Sequence, residues 1–328
     1  MQPVREAPND VIAAFERASE RLSRARTALR GVVFGQDAAV ALGLSVLVAG
    51  GHALVAGAPG VSKTRLVEAL GLALGLSIGR IELRADSEVD DLVRPQEQGR
   101  REGPSGRLRP SAGPVFRQLL LVERLDAAQP RMRQALVEAM QDGFLTHGAS
   151  AHVLPRPFHL MATGADGLAG GLDEAAADRF LVQIDLGWPD RDGERRMLLE
   201  TATDAPLEVA PALAALELIE AQRVAVELPV GEKVVETILE IVRRARPDDP
   251  SAPRLVKEAV ARGPGPRAGQ ALMRLARARA LVDARPSPSQ ADVVSLALPV
   301  LKPRLMLAPA GRHGPTAEAV VEAIVASL

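Results

Sequence analysis

The chain has 328 residues, 47% of them hydrophobic and 25% charged, which is enough material for two globular cores. Its 40 Lys+Arg balance 41 Asp+Glu for a formal net charge of -1, and aromatics are 2% with no tyrosine, so neither a phosphate-tracking basic excess nor a base-stacking platform is available and nucleic acid is not an expected partner. The absence of cysteine excludes disulfides, thiolate-bound zinc and cysteine nucleophiles, and the five histidines show no metal-ligand spacing.

The opening Met1-Gln2-Pro3-Val4-Arg5-Glu6 lacks the basic-then-apolar layout of a secretion signal. Val11, Phe15, Leu22, Ala25 and Leu29 then give residues 10–30 the stripe of an amphipathic helix, ended by Gly31-Val32-Val33-Phe34-Gly35-Gln36. The most apolar stretch, 39–56, is broken by Gly50-Gly51-His52 and reads as helix, turn and buried strand, not as a membrane span. A cytoplasmic location is the expectation. A Gly/Pro turn follows, then a helix from Lys63 and a short strand at 78–83 with Ile81 and Leu83 on one face. Residues 99–114, rich in Arg, Gly and Pro, predict a long exposed loop.

Leu119-Leu120-Leu121-Val122 is a continuous apolar run, the mark of a strand buried on both faces, and a helix at 132–140 follows it. Residues 144–155 read as a hairpin turning at His147-Gly148. Phe158-His159-Leu160-Met161-Ala162 and residues 180–186 add two more buried strands. Strands alternating with helices imply a parallel sheet covered on both sides. Beyond Gly187-Trp188-Pro189-Asp190 the texture turns helical, over 192–201, 213–220, 232–244, 268–284, 289–300 and 316–328, so the expected boundary lies near Trp188, with one domain at 1–190 and a second at 191–328.

The strongest motif is Gly57-Ala58-Pro59-Gly60-Val61-Ser62-Lys63-Thr64, set between an apolar strand and a helix as a phosphate-binding loop requires. Glycines let backbone N–H groups converge on phosphate oxygens and the helix N-terminus adds its positive end. In that reading Lys63 reaches the β- and γ-phosphates of ATP and the Thr64 hydroxyl ligates Mg2+. The strict pattern has glycine where this chain has Ser62, and a Gly/Pro turn with a chance Lys-Thr is the bland alternative.

Taken in order, several segments between about Val33 and Leu307 resemble the MoxR branch of the AAA+ ATPases. Val33-Phe34-Gly35-Gln36 is similar to that family's approach to the adenine site, which gives Gln36 a cofactor-binding role. Gly113-Pro114-Val115-Phe116, Leu119-Leu120-Leu121 and Gln134-Ala135-Leu136-Val137-Glu138-Ala139-Met140-Gln141-Asp142-Gly143 resemble its signature stretch. Glu174-Ala175-Ala176-Ala177-Asp178-Arg179-Phe180, Gly187-Trp188-Pro189 and Gly263-Pro264-Gly265-Pro266-Arg267-Ala268 resemble further segments. The resemblance implies an α/β P-loop NTPase (AAA+) fold, a parallel sheet sandwiched by helices and followed by an all-α lid domain.

It also implies that Arg179 is an arginine finger facing a neighbour's γ-phosphate and Arg267 a sensor arginine acting on ATP. Read alone, Arg179 is a helix-end arginine in a surface ion pair, and for Arg267 the two readings stay open. Two positions depart from the family pattern. Its apolar strand ends in Asp-Glu, the first supporting magnesium and the second orienting the attacking water, where this chain has Glu123-Arg124. Its polar first sensor falls on Ala165.

Glu123 keeps a carboxylate for the metal. Arg124, a guanidinium that offers donors and no acceptor, is no base. Asp126 is a nearby but uncertain substitute. The expectation is a homo-oligomer, taken as a hexameric ring, or a hetero-oligomer with an active paralogue. It binds ATP with weak or lost hydrolysis and remodels or matures partner proteins, with a von Willebrand factor A domain protein as the partner class. A magnesium-chelatase-like motor subunit and a P-loop phosphotransferase are the alternatives.

Overall fold

The computed structural model describes residues 8–94, 113–165, 172–200, 207–309 and 314–328. Five strands form one parallel sheet: β1 (Ala53–Gly57), β2 (Ile78–Glu82), β3 (Leu119–Glu123), β6 (His159–Gly164) and β7 (Val182–Leu186), in the order β2-β3-β6-β1-β7. The apolar runs of β1, β3 and β6 have no polar face because both faces are covered. Alternate side chains divide between two cores. Val55, Leu121, Met161 and Ile184 point to one, and Leu54, Leu120, Leu160 and Ala162 to the other.

The first face is covered by α1 (Pro8–Arg30), α2 (Asp37–Val48) and α3 (Lys63–Ala73), the second by α5 (Pro130–Asp142), whose Met132, Ala135, Leu136 and Ala139 form the buried stripe. After α5, β4 (Phe144–His147) and β5 (Ser150–Val153) make the expected antiparallel hairpin, turning at Gly148, whose φ is +60. Two short helices, α4 (Asp90–Val93) and α6 (Glu174–Ala177), complete this half. The expected exposed loop at 99–114 lies outside the described residues as far as 112. Its last two residues correct the expectation, because Gly113 is buried against the Val93 carbonyl and Pro114 starts a buried 3₁₀ turn.

The C-terminal half is helical: α7 (Arg191–Glu200), α8 (Ala215–Glu227), α9 (Glu232–Arg244), α10 (Arg254–Ala259), α11 (Pro266–Val282), α12 (Gln290–Leu301) and α13 (Ala317–Ala326). On α9 the stripe Val234, Ile238, Ile241, Val242 is buried, as a helix packed on one face requires. Helix α11 carries alanine at 268, 271, 276, 278 and 280, and these small side chains let it sit centrally among α2, α8, α9 and α12. A small antiparallel strand pair, β8 (Val260–Arg262) with β9 (Met306–Leu307), was not expected from the sequence, nor was α10. Helices α8 and α11 pack against α1 and α2, so the first core runs continuously from the sheet into the helical half.

Candidate functional site

In a parallel sheet the crevice for a ligand lies beyond the carboxyl ends of the strands. Here those ends bring together the 57–64 loop after β1, Glu123 at the end of β3, Ala165 after β6 and Gly187 after β7. Gly57 has φ +154, and a Cβ there would stand 2.5 Å from the Leu186 carbonyl, so only glycine fits. Ala58, Pro59 and Gly60 carry the turn outward, and Val61 anchors it in the core. Ser62 adopts φ 66 and ψ 31, the left-handed conformation that explains why the strict pattern has glycine there. It makes no side-chain cap, which leaves the first N–H groups of α3 open to an anion.

Lys63 folds back over the loop, its Nζ donating to the Gly57 carbonyl at 2.6 Å and the Ala58 carbonyl at 2.8 Å. The Thr64 hydroxyl donates to Glu123 Oε1 at 2.5 Å, and Arg80 Nε donates to Glu123 Oε2 at 2.6 Å. Hydroxyl and carboxylate therefore converge beside the lysine, a hard-oxygen pair that suits magnesium when phosphate oxygens supply the remaining ligands. Among the described residues no three His, Asp or Glu gather to hold a metal by themselves, so the ion fits only together with the nucleotide.

Arg124 follows with φ 56 and ψ 50, and its exposed guanidinium lies 3.9 Å from Glu82 on β2. Asp126 is exposed in the next 3₁₀ turn, and Ala165 is exposed after β6. The segment resembling the adenine approach meets another of the resembling segments, Gly187-Trp188-Pro189. Gln36 Nε2 donates to the Gly187 carbonyl at 2.8 Å, and Gly35, at φ +65, lies against Pro189 and Asp190. Arg196 of α7 stacks over Phe34 at 4.3 Å from the ring centroid, a contact the sequence pattern does not reveal.

Arg179 and Arg267 are brought to each other and not to the loop. Both line a cavity of about 740 Å³ together with Gly50, Gly51 and His52, which precede β1, whereas the phosphate loop follows it. A five-residue strand separates the two places by roughly 15 Å. Arg267 Nη1 donates to Asp178 Oδ2 at 3.1 Å, so the ion-pair reading describes part of its environment. Arg179 Nε is buried and has no hydrogen-bond partner among the described residues. A cationic donor left open in a cavity is a candidate for an anion supplied from outside.

Two histidines given no role by the sequence lie here: His52 lines the cavity, and His159 bonds the carbonyl of Gly51, which also lines it. His52 and His159 are held by backbone groups of other elements, and burial, first of all, lowers them from 6.5 to about 3 and about 4.

Comparison with known proteins agrees with this architecture. Residues 52–182 match the ATPase family associated with various cellular activities (AAA), and residues 253–324 match the AAA lid domain. Chaperone MoxR1 of Mycobacterium tuberculosis is 31% identical over 310 residues, covering 93% of this chain and 81% of that protein. YeaC of Bacillus subtilis is 31% identical over 312 residues, covering 94% of each. A crystallised candidate ATPase from Cytophaga hutchinsonii superposes with a TM-score of 0.83 at 24% identity, over 97% of this chain and 98% of that one, which shows the fold. With its parallel sheet, phosphate loop and helical lid, the chain belongs to the AAA+ ATPases of the MoxR type.

Proposed function

We propose that this chain binds Mg-ATP between subunits of a ring and uses the bound nucleotide to remodel or mature partner proteins, with hydrolysis weak. The observation that carries the reading is the separation along β1 of two half-sites. The phosphate loop is at one end and an open arginine is at the other, so one copy cannot close the site on itself. In the assembled site Lys63 leaves its own carbonyls for the β/γ-phosphates, while the loop from Gly57 to Ser62 cradles them with backbone N–H groups. Thr64 and Glu123 hold the metal, which when bound supplies positive charge to the phosphate oxygens. Gln36 and its neighbours border the base.

Arg179 and Arg267 of the adjacent copy meet the γ-phosphate from the far side. Arg124 and Ala165 leave no group to orient or deprotonate water, which favours a nucleotide-gated scaffold or a subunit working beside an active paralogue. Residues 1–190 form the nucleotide-binding unit and 191–328 the lid. The ring is a hexamer. The relative named a chaperone supports a protein client, and the family resemblance points to a von Willebrand factor A domain partner.

The test is mass by light scattering with magnesium and a non-hydrolysable ATP analogue. The parent chain should gain mass with the analogue, while Arg179→Ala should bind the analogue and stay small. Equal masses with and without analogue in both, with binding confirmed, would reject the intersubunit site.

A further inference from the structure

Arg304 closes the short 3₁₀ turn Lys302–Arg304 after α12 and lies in the sequence more than a hundred residues from Arg179. Its side chain is only 4% exposed, and all five guanidinium N–H donors are used. Nε donates to Asp178 Oδ1 at 2.9 Å. Nη1 donates to the carbonyls of Val300 at 2.7 Å and Leu181 at 3.1 Å. Nη2 donates to the carbonyls of Phe180 at 2.7 Å and Asp178 at 3.1 Å. One bond thus ties the guanidinium to the lid and four tie it to the residues bracketing Arg179. The second oxygen of Asp178 receives Arg267 from α11, so the lid grips this segment at two points.

Burying a guanidinium is costly unless every donor is satisfied, and here that cost falls on a turn outside both cores' centres. Burial pulls Arg304 down from its ordinary value and Asp178 draws it back up; an arginine remains cationic in that range. Among the described residues the Nε of Arg179 is buried with no hydrogen-bond partner, and the Arg179 side chain lines the 740 Å³ cavity. The backbone around Arg179 is therefore fixed while its head group is kept for something external.

We infer that Arg304 is a positioning residue that fixes Arg179 and, through Asp178, Arg267 as one phosphate-binding pair, and that it makes the pair move with the lid. The inference rests on the reading of Arg179 as the arginine offered to a neighbour's nucleotide. Lysine cannot replace it: a point charge with three donors cannot serve one carboxylate and four carbonyl directions at once. The phosphate loop lies at the other end of β1, so nucleotide affinity of the isolated chain is independent of the clamp.

The experiment compares the parent with Arg304→Lys, Asp178→Asn, Arg179→Ala and the double variant Arg179→Ala with Asp178→Asn. Asp178→Asn keeps the backbone bonds and removes the shared charge, so it decides the matter if Arg304→Lys does not fold. Each is measured for binding of the ATP analogue, analogue-driven association, and amide hydrogen exchange over residues 174–186. Arg304→Lys and Asp178→Asn should bind the analogue like the parent but associate on the order of ten- to a hundredfold more weakly, the loss of about one charge-assisted contact. Amides of residues 178–181 should exchange faster, and the double variant should associate more weakly than Arg179→Ala by less than the full Asp178→Asn loss, the remainder being the release of Arg267.

Parent-like association of Arg304→Lys or Asp178→Asn, where Arg179→Ala is impaired, overturns the clamp alone. A full additive loss in the double variant does the same. Parent-like association of Arg179→Ala overturns the finger reading and the clamp's role with it.

Discussion

Acidification from pH 7.5 to 5.0 should destabilise this protein, because two neutral histidines are built into the junction of sheet and lid. His159 Nδ1 lies 2.9 Å from the Gly51 carbonyl and so carries the proton. Its Nε2 then faces the Gln222 amide nitrogen of α8, 3.3 Å away, which also donates to the Leu47 carbonyl. His52 is the complementary tautomer, with Nε2 at 3.2 Å from the Met140 carbonyl and Nδ1 accepting from the Leu160 N–H at 2.9 Å. A second proton on either ring would point at another donor, with the Arg274 guanidinium nearby. Burial is nevertheless the largest cause of the lowering, to about 4 for His159 from 6.5.

The unfolded chain thus binds the extra proton first, so stability is full above pH ~6.5 and falls as pH drops toward 4. At 1.36 kcal/mol per pH unit, His159 alone costs roughly 2 kcal/mol by pH 5.0, and His52 acts in the same direction. Glu68, raised mainly by burial, works oppositely. The single tryptophan, Trp188, is 71% exposed and a poor probe, so urea unfolding is best followed by far-UV circular dichroism. The midpoint should fall steadily between pH 6.5 and 5.0, and His159→Gln should show a slope shallower by about one proton. A midpoint flat over that range, or a variant keeping the parent's slope, would refute the assignment of buried neutral rings.

The phosphate loop gives two more expectations. Lys63→Ala should weaken binding of a fluorescent ATP analogue by at least roughly a hundredfold, since it removes the cation nearest the β/γ-phosphates; unchanged affinity in a titration would reject the loop. Gly57→Ala should cost about 2 kcal/mol or more in urea unfolding and abolish nucleotide binding, because its Cβ would meet the Leu186 carbonyl at 2.5 Å on a backbone with φ +154. A variant as stable as the parent would show that the loop is not held as described.

Much of this architecture was legible because its signals are local. The apolar runs 119–122 and 158–162 announce strands buried on both faces, and a Gly/Pro loop followed by Lys-Thr between strand and helix announces a phosphate site. Helix α9 could be bounded at both ends, since its buried stripe has an unbroken helical period. The pairing of β8 and β9 could not, because these three- and two-residue strands meet across more than forty residues.

The arginine constellation was hidden for a similar reason. Nothing near Lys302-Pro303-Arg304 marks an arginine whose partners are at 178–181, and Arg80 approaches Glu123 only because β2 and β3 pair in register. The resemblance drew attention to Arg179 and Arg267 separately. Only the fold places them in one cavity at the far end of β1 from Lys63.

In the proposed function Mg-ATP is bound at residues 57–64 but turned over poorly, because Glu123-Arg124 and Ala165 stand where metal-supporting, water-orienting and sensing groups are expected. The most direct measurement is steady-state phosphate release at saturating ATP by the parent, by Glu123→Asp with Arg124→Glu, and by the triple variant adding Ala165→Asn, each first shown to bind and assemble. The parent should run well below ~1 s⁻¹, the low end of ordinary turnover numbers. The double variant should gain a factor of order 10² or more, the scale of restoring a group that positions or deprotonates water, and the triple variant should gain further. A parent already faster than ~1 s⁻¹, with no gain in either variant, would contradict the claim and assign the water to Asp126, another carboxylate or a partner's residue.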